Sequence, residues 1–253
     1  MSDEYKNRVV LISGSSSGIG EQTAYKFAEI GDIVIVTYHL NKEQGERVVR
    51  KCLELGAKDS LALSLELMQD ESIKNLVQQI VSKYGRIDIL INNAGKLGKG
   101  NLSEQSFDDI SKQIKTNLEG LIKLTHQCLP YIKESIINVG SALGLSAKGG
   151  LSVYSATKFG VRGFSQSLAK ELSGIRVYTI NPSLTATNMG GQTGLPPEQV
   201  AEIIKKAALG QYKAKFGADI NVREYLHGET GRLFYLIGRK LKRLIRIILR
   251  QHQ

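Results

Sequence analysis

Tyr154 and Lys158 stand four apart in Tyr154-Ser155-Ala156-Thr157-Lys158, a spacing that puts both side chains on one face of a helix. A free phenol, with a pKa near ~10, is a poor acid-base group at neutral pH. A neighbouring ammonium favours the phenolate and can lower that value by ~1–3 units. The pair therefore reads as a proton donor to an alkoxide, or in reverse as an acceptor from an alcohol. Ser141, thirteen residues before the tyrosine, closes a β-branched run, where its hydroxyl can hold a carbonyl oxygen beside the phenol and stabilise the charge that develops on it.

A second cluster lies near the N-terminus, in Ser13-Gly14-Ser15-Ser16-Ser17-Gly18-Ile19-Gly20. Glycines there permit a tight turn and close approach of backbone to a pyrophosphate, and the following helix offers free N–H groups and the positive end of its dipole. The loop reads as a dinucleotide site. These groups need elements that bring them together, and the sequence supplies an alternation. Strands are expected at Val9–Ile12, Ile33–Val36, Leu61–Leu65, Ile87–Ile91, Ile136–Val139, Val177–Ile180 and Leu233–Ile237, with helices at Ile19–Glu29, Lys42–Leu55, Glu71–Lys83, Phe107–Tyr131, Tyr154–Leu172 and Glu198–Leu209. That pattern predicts an α/β fold, a parallel sheet with helices on both faces. The stretches Gly95–Gly100 and Met189–Pro197 look flexible and follow strand ends, where open α/β sheets bind ligands.

Read in order, Ser13-Gly14…Gly20, Asn92-Asn93-Ala94-Gly95, Asn117, Ser141, Tyr154…Lys158 and Asn181-Pro182 resemble the short-chain dehydrogenase/reductase family, over roughly Arg8 to Gly238. The pattern leans toward the 3-oxoacyl-(acyl-carrier-protein) reductase branch. The resemblance implies a Rossmann-like, doubly wound, seven-stranded sheet, the GxxxGxG loop being that family's variant. It implies a catalytic set of Asn117, Ser141, Tyr154 and Lys158, with the lysine also bonded to the nicotinamide ribose and Asn117 organising water for a proton relay through it. It implies cofactor contacts along Gly14 to Gly20 and at Asn93, Ala94 and Gly95, where a structural turn is the alternative for Asn93. Glu66 falls where relatives carry an aspartate that reads the adenine. Asn181-Pro182-Ser183-Leu184-Thr185-Ala186-Thr187 is similar to NPGxVxT, so Pro182, Ser183, Thr185 and Thr187 are expected at the nicotinamide end. Ser183 in place of glycine would alter that turn if its φ were positive.

Enzymes that use NAD place an acid after the second strand. Here the run is Thr37-Tyr38-His39-Leu40-Asn41-Lys42, with Tyr38 where the resemblance puts aspartate. His39 and Lys42, helped by Ser15 or Ser16, are candidates to face a 2′-phosphate, so NADP(H) is favoured over NAD(H). Ser141, Leu143, Leu151, Tyr154 and Met189 are the expected substrate contacts, with Val153 and Leu184 adding to an apolar pocket. Lys96, Lys99 and Lys148 are either a basic rim for an acidic carrier or ordinary solvated lysines. The expected reaction moves hydride between the nicotinamide and a small-molecule or carrier-linked carbonyl. A general ketone, aldehyde, sugar or steroid reductase, or a non-catalytic NADP-binding sensor, are the alternatives.

The 253 residues are 42% hydrophobic, enough for one core. The net charge of +10 resides largely in the tail: Arg232, Arg239, Lys240, Lys242, Arg243, Arg246 and Arg250 follow the last acid, Glu229, and removing these seven leaves +3. A nucleic-acid-binding surface is unsupported. One catalytic domain is expected over residues 1–238, with 239–253 a basic amphipathic extension in which Leu241, Leu244, Ile245 and Ile248 recur at helical spacing. That helix would be buried in a homotetramer or homodimer, or lie on an anionic membrane surface or acidic partner. Cys52 and Cys128 match no metal or redox spacing, and the four histidines form no metal or triad pattern. The N-terminus Met1-Ser2-Asp3-Glu4-Tyr5-Lys6-Asn7-Arg8 is charged where a secretory signal is apolar, so a cytoplasmic location is expected.

Overall fold

The computed structural model describes residues 7–191, 193–226 and 237. Its centre is β1 (Val9–Ile12), whose four residues are all buried. Val10 and Ile12 point into one hydrophobic cluster and Val9 and Leu11 into another on the opposite face. A strand covered on both faces has no polar side to show, which is why it reads as an unbroken aliphatic run. Around it lie β2 (Ile33–Tyr38), β3 (Asp59–Ser64), β4 (Ile87–Asn92), β5 (Ile132–Val139), β6 (Arg176–Asn181) and β7 (Asp219–Asn221). They form one seven-stranded sheet in the order β3-β2-β1-β4-β5-β6-β7, with every pair parallel.

The helices are α1 (Gly18–Ala28), α2 (Lys42–Glu54), α3 (Asp70–Tyr84), α4 (Phe107–Ile114), α5 (Gly120–Cys128), α6 (Ser152–Glu171), α7 (Pro197–Ala208) and the short α8 (Val222–Tyr225). Phe27 of α1, Val48 of α2 and Ile204 of α7 sit in one core, while Ile80 of α3, Leu124 of α5 and Leu168 of α6 sit in the other. The chain runs outward from β1 to β3 and then returns to β4 on the other side of β1. This reversal opens a crevice at the carboxyl ends of β1 and β4.

Two expectations change. The seventh place in the sheet belongs to Asp219–Asn221, not Leu233–Ile237, which apart from a helical, exposed Ile237 lies outside the described residues. A three-residue edge strand with one aliphatic side chain, Ile220, carries almost no periodic signal. The extension 239–253 also lies outside the described residues. Second, the single helix expected over Phe107–Tyr131 is divided: a π-helical turn at Lys115–Glu119 joins α4 to α5, and a 3₁₀ turn at Leu129–Tyr131 ends the segment. Just beyond the π turn α5 meets the chain after β3, where a Cβ on Gly120 would lie 2.5 Å from the Leu67 carbonyl oxygen.

Candidate active site

The loop after β1 is built so that its backbone approaches the crevice closely at the glycines. Gly14 and Gly18 have φ of 65° and 60°, where L-residues are strained. A Cβ on Gly14 would lie 2.9 Å from Ala94 Cα, and one on Gly20 would lie 2.5 Å from both the Gly14 carbonyl oxygen and Asn93 Nδ2. Asn93 Nδ2 donates to the carbonyls of Ser13 and Gly14 at 3.0 Å each, while Ser13 Oγ accepts from the amides of Asn93 and Ala94. Asn93 is thus committed to tying β4 to the loop. Thr37 joins them, its hydroxyl accepting from Gly14 N at 2.8 Å. The result is a backbone-lined cradle at the start of α1, which fits the phosphates of a dinucleotide.

At the far end of the cradle, Tyr38, His39 and Glu66 line the crevice. His39 Nε2 is paired with Glu66, whose other oxygen accepts from Met68 N at 2.9 Å. Of the other groups expected to face a 2′-phosphate, Ser16 lines the crevice and two are turned elsewhere. Ser15 is fully buried, donating to the Ile12 carbonyl and accepting from Thr37 N. Lys42, exposed at the start of α2, lies 3.5 Å from Glu46.

The crevice continues over the ends of β4, β5 and β6 to Ser141, Tyr154 and Lys158, the whole cleft holding about 1300 Å³. α6 presents the tyrosine and lysine together, with Lys158 Nζ 5.7 Å from the Tyr154 ring centre. Nζ donates to the Val139 carbonyl at 2.8 Å, and burial pulls its pKa down to about 8. Burial also pushes the Tyr154 phenol up, opposed by the Ser141 hydroxyl. Desolvation is the larger of the two effects on the phenol, so the lowering expected from Lys158 is not found there. Ser141 Oγ accepts from Leu143 N at 3.1 Å, which leaves its proton for another acceptor. Its amide is held by Asn181 Oδ1 at 3.2 Å.

Asn117 occupies the π turn and is fully buried. Its Oδ1 accepts from Lys96 N at 2.6 Å, and its Nδ2 donates to the Lys96 carbonyl at 2.8 Å and the Thr157 hydroxyl at 3.2 Å. The π turn swings this amide out of the helical ladder toward the chain leaving β4. A Cβ on Gly95 would fall 3.3 Å from Asn117 Oδ1 and 3.8 Å from Lys158 Nζ, so the two side chains flank the same glycine.

The family model for short chain dehydrogenases matches residues 8–196. A 3-oxoacyl-(acyl-carrier-protein) reductase of Thermotoga maritima is 36% identical over 214 residues, 82% of this chain and 85% of that protein. One from Staphylococcus aureus is 34% identical over 223 residues, 84% and 86% of the two chains. A solved short-chain dehydrogenase of Burkholderia cenocepacia in complex with NADP superposes with a TM-score of 0.81 at 26% identity, over 87% of this chain and 97% of that one. The chain belongs to the short-chain dehydrogenase family. It is a nicotinamide-dependent oxidoreductase acting on alcohol and carbonyl groups.

In this short-chain dehydrogenase the cleft gathers Gly14, Ser16, Ser17, Gly18 and Ile19 with Tyr38, His39, Glu66, Asn93, Ala94 and Gly95. It adds Ser141, Leu143, Leu151, Tyr154, Lys158, Pro182, Ser183, Thr185, Thr187 and Met189. Of the positions singled out from the sequence, Ser15, Gly20, Lys42, Asn117 and the buried Val153 lie outside its lining. The first, second and fourth support it from behind. Ser183 takes no positive φ, so the turn at the nicotinamide end accepts serine without strain. Sequence reasoning passed over Thr37, which braces the glycine loop and looks like any β-strand threonine. It also passed over Arg223, which lines the cleft from α8 behind the unrecognised seventh strand. Both cysteines are buried and unpaired, with desolvation raising the Cys52 thiol to about 12.

Proposed function

We propose that this protein reduces a ketone with NADPH, and that the ketone is a 3-oxoacyl thioester. The observation that carries the reading is the meeting of Ser141, Tyr154 and Lys158 over a cleft that continues into a glycine-lined dinucleotide cradle. Bound NADPH supplies the hydride, and the groups that manage the proton and the charge belong to the chain. Ser141 hydrogen-bonds the substrate oxygen through its hydroxyl, keeping its own proton, and holds that oxygen beside the phenol. Tyr154 transfers its own proton to that oxygen as the alkoxide forms. A buried phenol with a raised pKa stays protonated until the alkoxide takes its proton, which suits reduction. Lys158, anchored on the Val139 carbonyl, brings a cation close to the phenolate left behind. Asn117 is a positioning residue that fixes the Lys96 backbone and thereby the wall against Lys158.

Preference for NADPH over NADH rests on the absence of a carboxylate at the end of β2, where Tyr38 stands, and on His39 and the Ser16 and Ser17 hydroxyls at the cleft. The NADP-bound relative supports it. For the thioester, support comes from the two carrier-protein reductases and from an apolar cleft wall of Leu143, Leu151, Leu184 and Met189. We further assign a homo-oligomeric state, supported by Phe107, Ile114 and Phe159, which stand exposed on adjoining α4 and α6.

The test is NADPH oxidation by the purified protein against carrier-linked and free ketones, with NADH in parallel. Turnover of 3-oxoacyl thioesters at higher kcat/KM with NADPH is expected. Equal or better kcat/KM with NADH overturns the cofactor assignment, preference for a simple ketone overturns the thioester, and cofactor binding with no turnover makes the protein a non-catalytic binder. Tyr38→Asp should shift preference toward NADH, since a carboxylate accepts from the ribose 2′-OH and repels a 2′-phosphate.

A further inference from the structure

We infer that Lys96, Lys99 and Lys148 form an anion-reading rim, which selects substrates carrying a phosphate or carboxylate remote from the carbonyl that is reduced. The inference deepens the proposed carbonyl reduction and rests on it for the position of the reacting oxygen. Its ground is the charge distribution of the cleft. Besides Lys158, the lining contains Lys96, Lys99, Lys112, Lys148 and Arg223, against a single carboxylate, Glu66. That carboxylate belongs to the opposite end, where it is paired with His39. Lys112 is paired with Asp108, whereas Lys96, Lys99 and Lys148 are exposed and have no acidic partner among the described residues.

The three rim lysines come from the chain after β4 and the loop before α6, and both are pinned. Lys96 is held through its backbone by Asn117, Gly98 N donates to Gln113 Oε1 at 3.1 Å, and Gly100 N donates to the Gly150 carbonyl at 3.0 Å. The last bond stitches the two loops together within two residues of Lys99 and Lys148. A fixed backbone under three like charges costs repulsion that an anion relieves. The cofactor does not account for them, because its phosphates are met by the backbone cradle between β1 and α1, while these lysines stand on the loops that lead to Asn117 and Tyr154. Leu151, which lines the same cleft, follows Lys148 by three residues and adjoins the Gly100–Gly150 bond, so an apolar acyl group and a distal anion fit one orientation of the substrate.

The experiment compares matched pairs that differ in one charge: a 3-oxoacyl pantetheine thioester against its 4′-phosphate, and a free keto acid against its methyl ester. For the phosphate or the carboxylate member, kcat/KM should exceed that of its neutral partner by about tenfold, the yield of three weak exposed ion contacts. The advantage should shrink as salt rises from 0.01 to about 0.5 M. Which pair shows it identifies the anion. In the double variant Lys99→Gln/Lys148→Gln the advantage should shrink at least about threefold while the neutral substrates keep their kcat/KM. Equal rates within both pairs, or an advantage that the variant does not shrink by that factor, overturns the inference and leaves carbonyl reduction standing. If no member is reduced, carbonyl reduction fails and the rim is read by titrating the NADP-saturated protein with pantetheine and 4′-phosphopantetheine. Tighter binding of the phosphate, weakened in the variant, supports the rim; equal affinity sinks it.

Discussion

At Lys158 one side chain is costly to the fold and necessary to the proposed reaction. Its pKa falls from 10.5 to about 8 because the ammonium is buried. A depressed base favours the folded state only where the lysine is neutral in both states. That contribution is present above about pH 10.5 and is lost as pH falls to about 8, below which the buried charge is carried in full. Lys158→Met should therefore raise thermal stability at pH 7 by an amount on the order of 1–3 kcal/mol, after discounting the lost bond to Val139. The gain should fade by pH 10.5, and turnover should be lost throughout. Calorimetry across that range checks the sign. The same group sets the pH profile expected of reduction. With the phenol raised and the ammonium titrating near 8, kcat/KM for ketone reduction should hold from pH 6 to 7.5 and fall as pH climbs past about 8. Tyr154→Phe removes only the dissociable proton, so the rate should drop by ~10²–10⁴-fold with cofactor affinity retained; a residual rate above a tenth of wild type would remove the tyrosine from the role.

The element that governs cofactor binding is the turn between β1 and α1, which depends on β4 as much as on its own glycines. Gly20→Ala forces a methyl against the Gly14 carbonyl and Asn93 Nδ2 at 2.5 Å, both part of one hydrogen-bonded unit. Affinity for NADPH should fall at least tenfold, with stability lower by ~1–3 kcal/mol. Asn93→Ala removes two bonds to loop carbonyls, each worth ~0.5–1.5 kcal/mol, and should raise the KM for NADPH more than it lowers kcat. Isothermal titration with the cofactor separates the two effects. The glycines were readable in the sequence because positive φ and close backbone approach leave no other residue type. Asn93's dependence on Ser13 and Gly14 was not, since it joins positions eighty residues apart. The strands β1, β2, β4, β5 and β6 were readable because burial on both faces demands aliphatic runs, while the partly buried edge strand β3 was located by Leu61 and Leu63. β7 was not, because three residues at a sheet edge need only Ile220 to be apolar. The π turn at Lys115–Glu119 was hidden for another reason: its one-residue offset leaves the apolar spacing of α4 and α5 almost intact while turning Asn117 toward Lys96.

For the whole molecule, the crevice and the outer helical face are set by the same wrapping of chain around β1, and α4 and α6 leave large apolar side chains exposed on that outer face. α6 delivers Tyr154 and Lys158 inward while Phe159, the next residue, stands 42% exposed. On neighbouring α4, Phe107 is 90% exposed and Ile114 42% exposed. Isolated exposed apolar residues are ordinary, but large ones grouped on adjoining helices mark an association surface. If a second copy covers them, the partner also stiffens the helix that carries the catalytic pair. Phe107→Asp/Phe159→Asp should therefore convert the oligomer to a smaller species in light scattering. Turnover per chain should fall with it, and cofactor affinity should change less, since the glycine cradle is built from the ends of β1 and β4 and the start of α1 rather than from α4 or α6. Wild-type protein that elutes as a monomer, or a variant that keeps both its size and its rate, would show that α4 and α6 meet solvent and that the site stands on a single chain.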